Sequence, residues 1–262
     1  PTGGDRTNWG HTGDIAVSGT GIRVQAGDNA LLSPGDGRGR LHFAQIGHGG
    51  HVTGGDHKGS INITATGNVD VIAGTVTDND NGHHTHAMIG HGGQGGANWG
   101  SEGGNTDTTS LSGATSGLNI DSDGIVTVQA GGFNAGAITD TRGDQSFAMI
   151  GSGGYVQRGN HIGNISVTGD LGINVLGGTG IDSFAQIGNG GQEADFPNNN
   201  NADTGSSGNI TLRTATGNVI LDAGEGDEAY AHVGHGGHGN QGIHGGTISV
   251  FAGFDPTSGT VT

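Results

Sequence analysis

One eight-residue pattern, F-A-x-I-G-x-G-G, recurs along the chain and constrains its fold more than any other feature. Its copies are FAQIGHGG (43–50), HAMIGHGG (86–93), FAMIGSGG (147–154), FAQIGNGG (184–191) and YAHVGHGG (230–237). A pattern that returns at regular intervals is typical of repeat proteins, in which each repeat is one structural unit stacked on its neighbours. Each repeat is therefore expected to contribute the same elements to a shared core.

Two short segments of alternating apolar and polar residues precede each copy. The first segments are DIAV (14–17), SINI (60–63), GLNI (117–120), NISV (164–167), NITL (209–212) and TISV (247–250). The second segments are GIRVQAG (21–27), NVDVIAG (68–74), IVTVQAG (125–131), GINVLGG (172–178) and NVILDAG (218–224), and GTVT (259–262) begins a sixth. Alternation over four to six residues, rich in Ile, Val and Thr, predicts half-buried β-strands.

The A-x-I part of the recurring pattern predicts a third strand in each module. Its Ala and Ile point to the core, and its aromatic residue points to the opposite face. Successive first segments are 46, 57, 47, 45 and 38 residues apart, so the loops vary while the strands keep their pattern. We predict an all-β fold, a parallel β-helix (three-faced β-solenoid) of about five to six modules with variable glycine-rich loops. A hairpin-based propeller or sandwich is the alternative, which the paired-glycine loops do not exclude.

The composition requires such pooling of apolar residues. The chain of 262 residues has 61 glycines, and only 30% of its residues are hydrophobic, too few to form a core unless they recur at equivalent positions. Its formal net charge of −16 argues against nucleic acid or an anionic membrane as a partner. No apolar run approaches the roughly 18 residues needed to cross a bilayer, so no membrane insertion is expected in this segment.

The whole chain, 1–262, is predicted to form a single β-solenoid segment. Its opening, PTGGDRTNWGHTG (1–13), resembles the segment ANWGSEGG (97–104) that follows one glycine turn, and its last residues begin a second segment. Both features place the ends in mid-module. We therefore expect an excerpt of a longer repeat array or one subunit of a filament.

Two of the strand segments carry a resemblance to a known family. ATGNVDVIAG (65–74) and ATGNVILDAG (215–224) resemble the G-N-[VIL]-x-[VIL]-x-A-G repeats of filamentous-haemagglutinin-like exoproteins, bacterial surface proteins exported by two-partner secretion. The resemblance covers the first and second strands of five modules. It implies a right-handed parallel β-helix shaft, secreted or attached to the cell surface, that serves adhesion or biofilm structure without enzymatic activity.

These observations predict a structural role. The expected function is that of a non-catalytic segment of an extracellular bacterial surface fibre or adhesin, self-associating by end-to-end stacking or forming part of a giant chain. A host surface, a neighbouring cell or a polysaccharide is a possible partner. The alternative is a ligand-binding β-helix protein that holds carbohydrate or metal through its loops or aromatic residues. An enzyme is not expected, because the same groups recur in every module instead of forming one unique constellation.

Three sets of residues are candidate sites. The outward side of the third strand carries an aromatic and thioether stripe, which predicts an interface unless the long loops cover it: Phe43, His86, Phe147, Phe184 and Tyr230, with Met88 and Met149. The residues of the repeated turn are predicted to hydrogen-bond to neighbouring backbone, with metal binding as the alternative: His48, His91, Ser152, Asn189 and His235. No resident cofactor is predicted, although calcium, or a divalent metal held by a histidine cluster, is an open alternative: Asp78, Asp80, His83, His84 and His86.

Overall fold

The computed structural model describes residues 10–27, 41–51, 55–75, 84–94, 106–107, 117–132, 145–157, 159–194, 205–240, 242–255 and 260–261. Every regular element in these ranges is a β-strand. Nowhere in them is there a helix long and apolar enough to cross a membrane. The strands form five parallel sheets, here called A to E in the order in which the chain visits them, and one antiparallel pair. The prediction of an all-β chain with parallel strands is confirmed.

Sheets A, B and C are built from the three segments that the sequence predicted. Sheet A contains Ile15–Gly19, Ile61–Ala65, Leu118–Ser122, Ile165–Gly169, Ile210–Arg213 and Ile248–Phe251. Sheet B contains Ile22–Gln25, Val69–Ile72, Ile125–Gln129, Gly172–Leu176 and Val219–Asp222. Sheet C contains Leu41–Ile46, His84–Ile89, Gln145–Ile150, Phe184–Ile187 and Tyr230–Val233.

Two further parallel sheets lie in the stretch that the sequence assigned to glycine-rich loops, so the expectation of three strands per module is incomplete. Sheet D contains Gly49–His51, Gly92–Gln94, Gly153–Tyr155 and Gly190–Gln192. Sheet E contains His57–Lys58, Thr106–Asp107, His161–Ile162, Gly205–Ser207 and Ile243–Gly245. Thr260–Val261 pairs antiparallel with Phe254–Asp255, so GTVT does not begin a sixth strand of sheet B.

Each strand of the five sheets pairs with its equivalents in the adjacent repeats. We number the repeats from the first residue of each sheet A strand: 15–60, 61–117, 118–164, 165–209 and 210–247, with a sixth that begins at 248. In sheet A, Ile61 lies between Ile15 and Leu118, and in sheet C, Ala148 lies between Ala87 and Ala185. Every sheet therefore orders its strands by repeat, and equivalent side chains form columns along the stack.

The main core is formed by the inward columns of sheets A, B and C. Burial alternates along the sheet A strands, so that Ile61 and Ile63 are buried while Thr64 is exposed. These columns join those of Val69 and Val71 and of Ala87 and Ile89 in one contiguous cluster of buried residues. Burying Ile, Val and Ala is favourable by roughly 25 cal/mol per Å² of apolar surface, and stacking lets repeats that are individually poor in apolar residues share that gain.

Candidate functional site

The predicted stripe is a continuous stack of rings along the outward face of sheet C. Phe43, His86 and Phe147 lie ring over ring, with centroids 5.1 and 4.8 Å apart. Phe184 and Tyr230 continue the stack at 4.9 and 5.0 Å, and no adjacent pair of rings is tilted by more than 7°. The repeat spacing of parallel strands, about 4.8 Å, sets this separation. One ring per repeat thus forms a column that runs the length of sheet C.

The stripe faces away from the main core, but it is covered in the inner repeats. His86, Phe147 and Phe184 are at most 1% exposed, and only Phe43, at the first repeat, is largely exposed at 48%. Met88 and Met149 are also buried, and with Tyr155, Val156 and Phe184 they belong to a second core cluster. The stripe is thus an internal core in all the inner repeats.

Sheet D covers the rings, whereas the sequence offered the long loops as the possible cover. A Cβ atom added at Gly50 would lie 3.4 Å from Cζ of Phe43, and one added at Gly237 would lie 2.8 Å from the Tyr230 hydroxyl. In these two repeats, the second glycine of the G-G pair therefore lies beside a ring. Glycine is required at position 50 by its φ of 132°, and at position 237 because a Cβ atom would lie 2.3 Å from the carbonyl oxygen of Gly191.

Gln45 and Gln186 hold the turn that leads from sheet C to sheet D. The side-chain amide of Gln45 donates to the carbonyl oxygens of Gly90, at 2.9 Å, and Gly92, at 3.2 Å, both in the following repeat. Gln186 donates likewise to Gly234 and Gly236, at 3.1 and 2.9 Å. These bonds link successive repeats at a point where the paired glycines offer carbonyl oxygens but no side chains.

The turn residues reach in the opposite direction, to the preceding repeat. Nδ1 of His91 accepts a hydrogen bond from the backbone N–H of His48 at 3.0 Å, and Nδ1 of His235 accepts from that of Asn189 at 3.1 Å. Because Nδ1 accepts, the proton resides on Nε2, and Nε2 of His91 donates to Gly59 O at 2.8 Å. The predicted backbone hydrogen bonds are thus present, and they occupy both ring nitrogens of His91.

Asn189 shows how a different side chain makes the same contacts. Its Oδ1 accepts from the backbone N–H of Ser152 at 3.0 Å, and its Nδ2 donates to the carbonyl oxygens of Gly163 and Ser207, at 2.8 and 3.0 Å. Oδ1 of the amide therefore accepts as Nδ1 of a histidine does, and Nδ2 donates as Nε2 does. This equivalence explains why asparagine can stand at position 189 in a column that holds histidine at positions 48, 91 and 235.

Replacing His91 by alanine is expected to destabilise the chain more than replacing it by asparagine. Alanine leaves the His48 N–H and the Gly59 carbonyl without these partners, at a cost of about 1–3 kcal/mol per buried group. Asparagine restores both contacts as Asn189 does. Chemical denaturation of the two variants and the parent measures the difference. Equal losses of unfolding free energy in the two variants would contradict the hydrogen-bonding role.

His57 makes the stability of the first repeat depend on pH. Its Nδ1 accepts from the backbone N–H of His11 at 3.2 Å, and the two rings stack at 5.2 Å. Burial above all, followed by the charges of His11 and His48, lowers the pKa of His57 from 6.5 to about 4, against the opposing effect of Asp56. The unfolded chain therefore binds a proton at His57 more readily than the folded chain does between these two values.

We expect the melting temperature to fall as the pH is lowered from 6.5 towards 4, because protonation of His57 favours the unfolded chain. The variant His57→Gln keeps an acceptor for the His11 N–H and lacks the titrating group. Its melting temperature should fall less between about pH 7.5 and about pH 5 than that of the parent. An identical fall in both proteins would show that His57 does not contribute to the acid sensitivity.

The histidine cluster that was the alternative metal site lies mostly outside the described residues. Asp78, Asp80 and His83 lie outside the described residues, and so does the side chain of His84. His86 lies inside the ring stack, between Phe43 and Phe147. A different group of ligand-type side chains converges in the described part of the chain: Asp182, Glu228 and His238, whose ligand atoms all lie within 4.8 Å of one another.

The last repeats of the stack expose columns that are buried in its interior. Leu221 continues the buried Val71, Val128 and Val175 of sheet B and is 49% exposed. Val250, at the end of sheet A, is also 49% exposed, although its neighbour Leu212 is fully buried. At the other end, Phe43 is the first ring of the stack. The last repeats therefore combine open strand edges with exposed apolar side chains, whereas the first repeat exposes Phe43 while Ile22 and Val24 of sheet B stay buried.

No protein-family model, curated protein or solved structure matches the chain. The candidate site therefore rests on the residues and their geometry. The residues that the sequence interpretation missed are the glycines of sheet D and the glutamines beneath the turn. Their signal was the strict G-G pair, since a glycine that recurs in every repeat marks a close approach of backbone to another group.

Proposed function

We propose that the chain is a structural β-solenoid segment that associates end to end with a second copy. The observation that carries the proposal is the exposure, in the last repeats, of columns that are fully buried in the interior, together with the exposed ring of Phe43 in the first repeat. Exposed strand edges and core side chains attract another sheet of matching pattern. The three-faced β-helix predicted from the sequence, with sheets A, B and C as its faces, is the form of solenoid that we propose.

The two ends are complementary in register. At one end, the backbone N–H of His235 donates to no described residue, whereas its equivalents His48 and Asn189 donate to the next turn residue. At the other end, Nδ1 of His48 occupies the position from which His91 accepts such a bond. A second copy would supply this partner and set Phe43 on Tyr230 as a further ring pair once the Ile248–Phe251 strand leaves sheet A, because Ile15–Gly19 of that copy takes its place beside Ile210–Arg213.

Association of one end with the opposite end is heterologous, and such contacts produce open filaments when they do not close into a ring. The non-catalytic, extracellular fibre or adhesin implied by the sequence resemblance belongs to the same proposal. The alternative function, ligand binding, is less favoured at the aromatic residues, because the inner rings that would contact a carbohydrate are buried. An end-to-end fibre accounts for both the exposed ends and the internal rings.

Sedimentation velocity and electron microscopy over a range of concentrations test the proposal. The parent chain should form filaments that lengthen with concentration, and the variant Leu221→Asp/Val250→Asp should remain monomeric, because two charges replace apolar side chains at one end. Ile220→Asp is the matched control, since Ile220 is 46% exposed but precedes Leu221 on the outer face of the same strand. The control should assemble like the parent.

A parent chain that stays monodisperse at every concentration would contradict end-to-end association of separate chains. Loss of assembly in Ile220→Asp as well as in the double variant would assign the contact to the side of the stack instead of its end. Circular dichroism of each variant, compared with the parent, verifies that the sheets are retained.

A further inference from the structure

Three metal-ligand side chains from two successive repeats meet on the surface beside the last ring. Asp182 lies two residues before Phe184, and Glu228 lies two residues before Tyr230; because these rings are register partners, the carboxylates occupy equivalent positions in repeats 4 and 5. His238 follows the G-G pair of repeat 5. Its Nδ1 lies 3.5 Å from Oε2 of Glu228, and the ligand atoms of all three residues lie within 4.8 Å of one another.

The charge of this group is not balanced by the described residues. Two carboxylates face each other across one repeat spacing, and no described lysine or arginine forms an ion pair with either. Nε2 of Gln192 donates to Oδ1 of Asp182 at 3.0 Å, which orients that carboxylate without neutralising it. Like charges this close disfavour each other, and a bound dication would reverse the sign of the interaction.

The cavity beside the group contains buried polar atoms that lack partners. This open cavity, of about 500 Å³, is lined by Tyr230, His238 and Asn240 among others. Both amide atoms of Asn240 are buried and form no hydrogen bond with a described residue. Burial raises the pKa of Tyr230, and the nearby charge of Asp182 raises it further, so the phenol stays protonated. The Asn240 amide thus leaves an unpartnered acceptor and donor in a cavity that His238 also lines.

We propose that Asp182, Glu228 and His238 bind one zinc-type divalent ion that joins repeat 5 to repeat 4. Two carboxylates and one imidazole, with water in the open position, form a ligand set that suits Zn²⁺. Calcium takes six to eight oxygen ligands and does not favour imidazole, so it is not the expected ion. The ion stabilises the folded chain, because its ligands converge only when the two repeats are stacked.

Calorimetric titration with ZnCl₂ tests the site. It is performed on the Leu221→Asp/Val250→Asp background, so that the result does not depend on assembly. The parent background should bind one equivalent more than each of the variants Asp182→Asn, Glu228→Gln and His238→Ala, and its melting temperature should rise more with zinc. Asparagine is compatible with the φ of 55° at Asp182. CaCl₂ in place of ZnCl₂ should produce no such difference.

His244→Ala is the control, since His244 lines the same cavity but is not one of the three ligands. It should retain the equivalent that the three variants lose. Equal stoichiometry in the parent background and all three variants, or loss of the equivalent in His244→Ala, would overturn the assignment. Because the titration uses chains with a blocked end, failure of the zinc site leaves the fibre proposal intact, and failure of the fibre leaves the zinc site testable.

Discussion

Replacing Phe147 by alanine is expected to lower the free energy of unfolding by about 3–5 kcal/mol, the range for removing a buried aromatic side chain from a core. Phe147 is 1% exposed and stacks on both sides, against His86 and Phe184. Its loss leaves a cavity between sheets C and D and interrupts the stack. Urea denaturation followed by circular dichroism measures the change as a lower midpoint at an unchanged slope.

Phe43→Ala provides the comparison, because Phe43 has the same ring in the same column but is 48% exposed and has one stacking partner. Its expected cost is about half that of Phe147→Ala, in proportion to the smaller buried area. Similar costs for the two variants would show that the stack does not form an internal core. Assembly is blocked in both experiments by the Leu221→Asp/Val250→Asp background, since an end contact would bury Phe43.

Replacing Gly154 by alanine is expected to cost more than about 3 kcal/mol, which places it among the severe single substitutions. Gly154 has a φ of 128°, and a Cβ atom there would lie 1.9 Å from the carbonyl oxygen of Gly93. That oxygen belongs to the adjacent strand of sheet D, so the clash is with backbone and is not relieved by a side-chain rotation. The sheet must separate locally, which uncovers the rings beneath it.

Gly245→Ala is the matched control, because a Cβ atom at Gly245 would meet no other atom within 4 Å. The control should unfold within about 0.5 kcal/mol of the parent, as is usual for an open surface position. Thermal melting and the binding of a hydrophobic dye distinguish the two variants, since only Gly154→Ala should expose the ring stack. A Gly154→Ala protein as stable as the control would contradict the close approach of the sheet D strands.

The strands of sheets A to C and their register follow from the sequence. Alignment of the segments SINI and GLNI places Ile61 against Leu118, and these two residues are register partners in sheet A. Alternating Ile and Val residues record which side of a strand is buried, and a one-residue slip would expose the whole set. These sheets were therefore predictable because their side chains alternate.

Sheet D escaped prediction because it has few side chains to form a pattern. Its strands begin with two glycines, which signal a turn when read alone, and the alternation rule has nothing to act on. For the same reason, the sequence did not identify what covers the stripe. A ring that faces away from the main core appears exposed unless the covering strand is recognised, and here that cover is glycine backbone against Phe43 and Tyr230.

The zinc-type group was also hidden in the sequence. Asp182 and Glu228 are 46 residues apart and differ in type, and the same column holds Leu41, His84 and Gln145 in the other repeats. Only the alignment of Phe184 with Tyr230 brings the two carboxylates together, and only the return of the chain through the G-G pair adds His238. Convergence of this kind depends on the path of the chain in space, which the separation of these residues in the sequence does not reveal.

The hydrogen bonds of the turn column are compatible with different numbers of repeats. Each of its hydrogen bonds extends to one adjacent repeat and no further: His91 contacts residues of repeat 1, and Asn189 contacts backbone of repeats 3 and 4. Removing residues 118–164 as a block would therefore set Ile165 on Ile61 and Asn189 on His91, with the hydrogen bonds of the turn column preserved. Duplication or loss of whole repeats is thus compatible with this column, although pairs such as Asn62 and Asn119 are specific to their two repeats.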